Sequence, residues 1–507
     1  MKLRVISTPL RGKDLTAAAL AEKTPAGWYL DRPHGAEQWT ARAKEVASRF
    51  SNDWLTPLLP AIEPTGLAAE NLQKAARGGF VVTTGQQPAL FGGPLYTWWK
   101  AISVAAFAAS LSDKLEMPVA PVFWAATDDS DFVEAASTVI ATPDGAQIIS
   151  LQNRDDQGLP LSQIPLGDVS SQLELLRGAT RSAPHPRILD VVARTYQAGE
   201  TMGSAYVKLL REMLSGLGVA VLDSSHPAVR KQGEPLMHRA LERASDIESR
   251  LFDRDAELKA HAFNAQVQTV RGRSLVFSTT DGKRGRVPIS HATDNAVKSS
   301  ELSPNVLLRP ILEKTILPTV AYIGGPAEIA YFAQVSAVAN ALEIEPPLVL
   351  PRWSGIVIEP RIERILEKYS LTPSDFADPH AVETRIAHES LPEDIKTSIA
   401  ELRENSGKQI DSLGTADKEN LISAQVIEGL KRNILHRVDR VERRYAAAIK
   451  RKGNDALRDI AAARGALYPL GKPQERALNI VPLWARYGDD LLDSVWGEAL
   501  FHTSILW

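Results

Sequence analysis

The chain predicts an α/β protein with a Rossmann-like parallel sheet, on three observations. Five short apolar runs each end in glycine or polar residues, helical patterns separate most of them, and the first run passes through a Gly/Pro-rich loop straight into a helix. The first run, Phe80-Val81-Val82, meets Thr83-Thr84-Gly85-Gln86-Gln87-Pro88. Gly92-Gly93-Pro94 then opens a helix through Trp98, Trp99, Ile102 and Leu111. A strand, a glycine loop and a helix N-terminus can together hold an anion through outward-pointing amides. The loop is neither a Walker A nor a G-x-G-x-x-G fingerprint, and it also reads as a plain tight βα connection. Two adjacent amides, Gln86 and Gln87, in so short a turn favour hydrogen bonding to a ligand.

The second run, Met117 to Ala126, is apolar on both faces, as parallel strands are, and closes on Thr127-Asp128-Asp129-Ser130-Asp131. A right-handed βαβ unit brings both strand ends to one edge, so the glutamines and the three carboxylates are expected to share a crevice. Three acids in four residues repel unless a cation, a metal or a basic substrate sits between them. The alternative is a solvated turn whose Asp131 caps the next helix. The third run, Gly218 to Leu222, ends in Asp223-Ser224-Ser225-His226, which makes His226 either a turn residue or a candidate catalytic base. The fourth, Thr319 to Ile323, runs into Gly324-Gly325-Pro326-Ala327-Glu328 and a helix through Tyr331, Gln334 and Val338. The fifth, Pro347 to Leu350, ends in Pro351-Arg352-Trp353-Ser354.

Around this core the pattern predicts an N-terminal helical lead-in over 1–77, with Ala36 to Phe50 its clearest helix. The core spans 78–375, with inserted segments near 137–200 and 250–300. The first insertion turns at Pro143-Asp144-Gly145, and the second carries a hairpin from Ser274 to Pro288 over Asp281-Gly282-Lys283. Lys283, Arg284 and Arg286 read as a solvated edge that discourages strand pairing, or as a clamp for an anionic substrate. A helical coiled-coil arm is expected over 376–465. Ile427, Leu430, Ile434, Val438, Val441, Tyr445 and Ala448 recur there at threes and fours, Ile395, Ile399 and Leu402 begin a similar seam, and Leu413-Gly414-Thr415 suggests the turn. The last segment, 466–507, returns to the core. The longer seam leaves apolar surface over, to be buried with Ile434, Val438 and Val441 in or near the contact, against a symmetry mate or the body of the enzyme.

Composition narrows the function class. With 58 Lys+Arg against 61 Asp+Glu, nothing predicts a nucleic-acid or membrane-surface partner. The absence of cysteine excludes disulfides, cysteine nucleophiles and Cys-ligated metal. The longest apolar helical stretch, Ala101 to Leu111, is too short to span a bilayer, and no secretory h-region follows Met1-Lys2-Leu3-Arg4, so a cytoplasmic enzyme is expected.

The chain also resembles the BshC family of bacillithiol biosynthesis nearly end to end. The resemblance is carried by Val82 to Pro88 with Gly93 to Thr97 and Lys100, by Pro121 to Trp124 with the acidic cluster, and by Leu302 to Val306 with Arg309-Pro310. It continues through Leu317 to Ile323 with Gly325-Pro326 and Glu328, Pro351-Arg352, Gln474-Glu475-Arg476, Asn479-Ile480 and Tyr487-Gly488. It implies a Rossmann core like that of class I nucleotidylyl-transferring synthetases, a coiled coil, a homodimer, and a cysteine ligase that adds L-cysteine to the glucosaminyl amine of glucosaminyl malate. The chain departs from the family at Ser130, where a histidine is usual, and at Ala89 and Ala327, where glycine is common.

Strand-end position and the resemblance together assign the expected roles. ATP or ADP, with Mg²⁺, would activate the cysteine carboxyl as an adenylate or acyl phosphate. Thr83, Gly85, Gln86, Gln87, Gly92, Gly93, Tyr96, Asp223 and Gly325 would hold substrate or nucleotide, and Arg309 and Arg352 would clamp carboxylate or phosphate. Asp128, Asp129 and Asp131 would bind the substrate ammonium or Mg²⁺, Glu328 would orient the attacking amine, and His226 or a carboxylate would serve as base. The competing expectations are a non-catalytic nucleotide- or metabolite-binding protein with an interaction arm, or a nucleotidylyl transferase for another amino acid or sugar.

Overall fold

The computed structural model describes residues 3–152, 158–180, 183–280, 283–378, 380–419, 421–452 and 455–507. Five strands, β1 (Phe80–Gln86), β2 (Val119–Ala125), β3 (Ala220–Asp223), β4 (Thr319–Gly324) and β5 (Val349–Pro351), form one parallel sheet in the order β5-β4-β1-β2-β3. These are the five runs read from the sequence. The residues of β2 and β4 are all buried, because crossover helices cover both faces of such a sheet. Strand order reverses between β1 and β4, so their C-terminal ends diverge and leave a crevice there.

Helix α1 (Leu95–Leu115) follows β1 and is buried along most of its length, including Trp98, Trp99 and Lys100. It stops at Glu116, which has φ 52°. Helix α2 (Arg309–Ile316) precedes β4, and α3 (Pro326–Ala341) follows it directly, with Gly325 as its N-cap. The helix expected over Ala36 to Phe50 occupies Gly35–Ser48, but the lead-in starts with a strand, Arg4–Ser7, paired antiparallel with Gly355–Ile358. Four residues with a partner some 350 positions away leave no local pattern to read, so the sequence reading missed this pair.

The first insertion contains strands Ser137–Thr142 and Gly145–Ser150 in a two-stranded sheet. In the second, Arg273–Thr280 and Lys283–Pro288 form the expected hairpin, whose Asp281 and Gly282 lie outside the described residues. A third strand, Glu301–Pro304, pairs with the other edge of Arg273–Thr280. The hairpin is thus part of a three-stranded sheet that carries Phe277, Arg284 and Arg286 to the crevice.

The chain divides into two compact units. One comprises 1–140, 148–358 and 475–507, and the other 141–147 and 359–474. In the second, helices α4 (Glu393–Ala416) and α5 (Ala424–Lys452) pack side by side, joined by ion pairs from Arg403 to Asp439 and Glu442 and from Lys431 to Asp411. The predicted turn at Leu413-Gly414-Thr415 is helical instead. Gly414 lets α5 approach, with Ile427 Cγ2 only 3.3 Å from where a Cβ would stand, and the chain turns beyond Ala416, where the Asp417 carboxylate accepts from the Leu421 and Ile422 amides.

Candidate active site

The crevice between the ends of β1 and β4 encloses about 510 Å³. At its base Lys100 of α1 and Glu328 of α3 meet, Nζ to Oε2, at 2.5 Å. Both are placed by local sequence. Lys100 lies in the second turn of α1, from which its ammonium also donates to the Gly85 carbonyl at 2.7 Å and to Gln86 Oε1 at 3.1 Å. Glu328 is the third residue of α3 and accepts from the Gly325 amide at 2.7 Å, the reach-back of a capping box. Tyr322 at the end of β4 donates its hydroxyl to the same carboxylate. Burial alone would raise the Glu328 carboxyl, but Lys100 and Arg309 outweigh it and hold the group below the ordinary carboxylate range. Gly85 has to be glycine, since a Cβ would come within 2.9 Å of the Trp124 carbonyl and 3.3 Å of Arg309 Nη1.

The rim is polar and mixed in charge. Gln86 donates to Tyr96 Oη at 3.3 Å, and Gln87 donates to Glu134 Oε2 at 2.9 Å. Asp128 accepts from Ser224 Oγ at 2.5 Å and faces Arg284 Nη2 at 3.9 Å. Asp129 lies beside it, its carboxyl raised by burial and by Asp128 and lowered by backbone amides and Arg284. Across the crevice Arg284 stacks 3.9 Å from the Phe277 ring centre, and Arg286 stands beside Arg273 and Arg284. Two guanidinium groups, Arg284 and Arg286, thus line the crevice on that side, with Asp128 facing the first. Arg476 completes the lining near Tyr96 and Glu134.

Of the sequence-predicted residues, the crevice brings together Gly85, Gln86, Gln87, Tyr96, Asp128, Asp129, Arg309, Gly325, Glu328 and Arg352. Arg352 is committed there, since both its Nη atoms donate to Glu475 at 2.7–2.8 Å and one also reaches the Trp353 carbonyl. That leaves it a structural cation rather than a free clamp.

Six predicted residues lie elsewhere. Asp131 accepts from the Glu134 amide and caps the helix Phe132–Ala135, the alternative weighed for it above. His226 caps the helix Pro227–Glu242, with Nδ1 accepting from the Ala228 amide at 3.1 Å. Asp223 ties Thr127 and Ser225 together between β2 and β3. Thr83 is buried within β1 beside Glu313. Gly92 and Gly93, at φ 85° and 71°, form the tight entry to α1.

Protein groups occupy several of the amides and carbonyls at the N-terminus of α1. Its Leu95 amide donates to the Leu478 carbonyl at 2.8 Å, the Gly92 amide is paired with Tyr196 Oη, and Asn479 bonds the Phe91 and Gly93 carbonyls. The C-terminal segment plugs the site that the loop sequence suggested.

Sequence reasoning named Lys100, Asn305, Tyr331 and Arg476 without giving them a role, and did not single out Phe277. Besides the resemblance, a lysine inside an otherwise apolar helix pattern was the signal available for Lys100. Among the described residues no three His, Cys, Asp or Glu side chains group to hold a metal ion, and no helix is long and apolar enough to cross a membrane.

Comparison with known proteins agrees with this architecture. A family model described as the N-terminal Rossmann-like domain of bacillithiol biosynthesis BshC matches residues 1–353, and one described as the C-terminal coiled-coil domain of the same proteins matches 355–503. Relatives named "Putative cysteine ligase BshC" include one from Solibacter usitatus, 30% identical over 89% of this chain and 88% of its own length. A second, from Koribacter versatilis, is 31% identical over 84% and 83%. A third, from Salinibacter ruber, is 26% identical over 94% and 91%.

Proposed function

The chain belongs to the BshC family, and on that premise we propose that it is a ligase joining the carboxyl of L-cysteine to the glucosaminyl amine of glucosaminyl malate in bacillithiol biosynthesis. The observation that carries this reading is the mixed charge of the crevice, lined by guanidinium groups (Arg284, Arg286) and by carboxylates (Asp128, Asp129, Glu134). Such a site suits two substrates at once, one presenting an anion and the other an ammonium.

A free carboxylate does not acylate an amine, and a bound nucleotide supplies the phosphate chemistry that activates it. Arg284, Arg286 and Arg476 suit its phosphates. Asp128 and Asp129 suit the cysteine ammonium, or a Mg²⁺ that keeps most of its ligands from water and phosphate. Glu328, fixed by Lys100, orients the attacking amine. Arg309, backed by buried partners, faces a substrate carboxylate.

Mass spectrometry of the purified protein with ATP, L-cysteine and glucosaminyl malate tests this. The expected product has the summed mass of the two substrates less one water, and it accumulates together with AMP or ADP. Intact substrates after prolonged incubation, in the presence of folded protein, would refute the reading.

A further inference from the structure

Glu313 stands behind the crevice wall with no role in the reaction described above. It is 1% exposed and lies one helical turn after Arg309, whose Nη1 donates to it at 3.1 Å. Arg309 Nη2 reaches Tyr331 Oη at 3.0 Å and Tyr322 Oη at 3.3 Å, with Glu328 Oε1 at 3.9 Å. Since Arg309 also lines the crevice, one guanidinium faces both Glu313 and whatever binds there.

The cluster holds two cations, Lys100 and Arg309, and two carboxyl groups, Glu328 and Glu313. They are not held equally. Glu328 has Lys100, the Tyr322 hydroxyl and the Gly325 amide, whereas Glu313 has Arg309 and the Thr83 hydroxyl beside it. Burial pushes the Glu313 carboxyl up to about 7. Arg309 and Thr83 oppose the rise, Glu328 adds to it, and Lys100 lowers it slightly. Burial also raises Tyr322 and Tyr331, which stay neutral; both accept from Arg309, and Tyr322 donates to Glu328.

An anion arriving against Arg309 would leave this buried cluster with one negative charge too many, which is costly where water is excluded. Protonating the less firmly held carboxyl relieves it. We propose that Glu313 is a positioning residue that orients Arg309 before substrate arrives and takes up one proton from solvent as an anionic substrate group replaces it as the counter-ion of Arg309. The only bond formed is the Glu313 O–H bond. The inference rests on the proposed function only in needing the crevice to accept an anion.

L-Malate is the probe. Calorimetric titration at pH 8, where Glu313 starts largely ionised, in buffers of different ionisation enthalpy, should show net proton uptake on binding. Affinity should fall as pH rises through about 7, by at most tenfold per pH unit. Glu313→Gln should abolish the uptake and flatten the profile. Binding without uptake would overturn the proposal, as would failure of malate to bind. Wild-type uptake in Glu313→Gln would also overturn it, by assigning the proton to Asp129 or Glu134, both raised by burial. Should the buried substitution unfold the protein, infrared difference spectra of the wild type with and without malate decide instead. A gained protonated-carboxyl C=O band supports the inference, and its absence refutes it. Turnover is not part of the readout, so proton uptake in a protein that forms no amide bond would sink the proposed reaction and leave this inference standing.

Discussion

At the residue scale, the crevice separates groups that hold the fold from groups left for substrate. Lys100, Arg352 and Glu475 are buried or nearly so, and each is matched by an opposite charge at 2.5–2.8 Å. Removing one partner of such a pair strands a charge and typically costs 3–5 kcal/mol. A loss of activity at these positions would therefore say little about chemistry. Asp129 differs. It is half-buried, its carboxylate accepts from the Asp131 amide at 3.0 Å, and burial disfavours its charged form. Asp129→Ala should consequently abolish turnover while changing unfolding free energy by no more than about 1 kcal/mol, the worth of one exposed amide bond. A large drop in melting temperature, with activity per folded molecule preserved, would make the carboxylate structural and remove it from the site.

At the element scale, the helix pair α4–α5 buries Ile399, Ile410, Val438 and Ala446, yet Leu402, Leu413, Val426, Leu430, Val441 and Tyr445 remain exposed. Heptad-like spacing on α5 thus supplies two stripes, one facing α4 and one facing outward. Exposed apolar stripes of this extent mark association surfaces, and a self-complementary one favours a two-fold dimer. We expect a homodimer in which Val441 and the half-buried Ile434 lie at the contact, while Val438 is already covered within the pair. Ile434→Glu combined with Val441→Glu places unpaired charges in that apolar surface and should give a monomer by light scattering, with the Rossmann-like unit still folded. A wild type that is monomeric at micromolar concentration would disprove the dimer. The sequence signalled the seam through its spacing but not the helix ends, because a glycine that breaks an isolated helix also allows close packing between two.

At the scale of the whole molecule, what the sequence revealed and what it hid follow from one distinction. Each core strand announced itself locally, as a short buried run running into glycine, proline or polar residues, and the strand-end rule then placed Gly85, Gln86, Asp128 and Glu328 at one crevice. What was not legible depends on residues far apart in the chain. Arg352 meets Glu475 across 123 positions, Asn479 plugs the loop before α1, and Arg284 faces Asp128 from an inserted sheet. His226 and Asp131 misled because a residue that caps a helix and one that serves a strand-end site look alike in sequence. The same long-range contacts define what the Rossmann-like unit needs in order to fold. Residues 475–507 belong to it although 359–474 intervene, and they supply the partner of a buried arginine and the plug of the α1 entry. A chain ending at residue 358 lacks both, leaving Arg352 buried without its carboxylate, so it should fail to give a cooperative melt. Glu475 also receives the Ser354 hydroxyl at 3.1 Å, so the excised ends lie within a few residues of one another in space. Replacing 359–474 with a Gly/Ser linker of about ten residues, which spans roughly 15–20 Å, should therefore restore a cooperatively folded, monomeric unit with near-ultraviolet circular dichroism from its packed tryptophans. If the linked chain is as unfolded as the truncation, the second unit is needed for folding, and the autonomy argued here for the first is wrong.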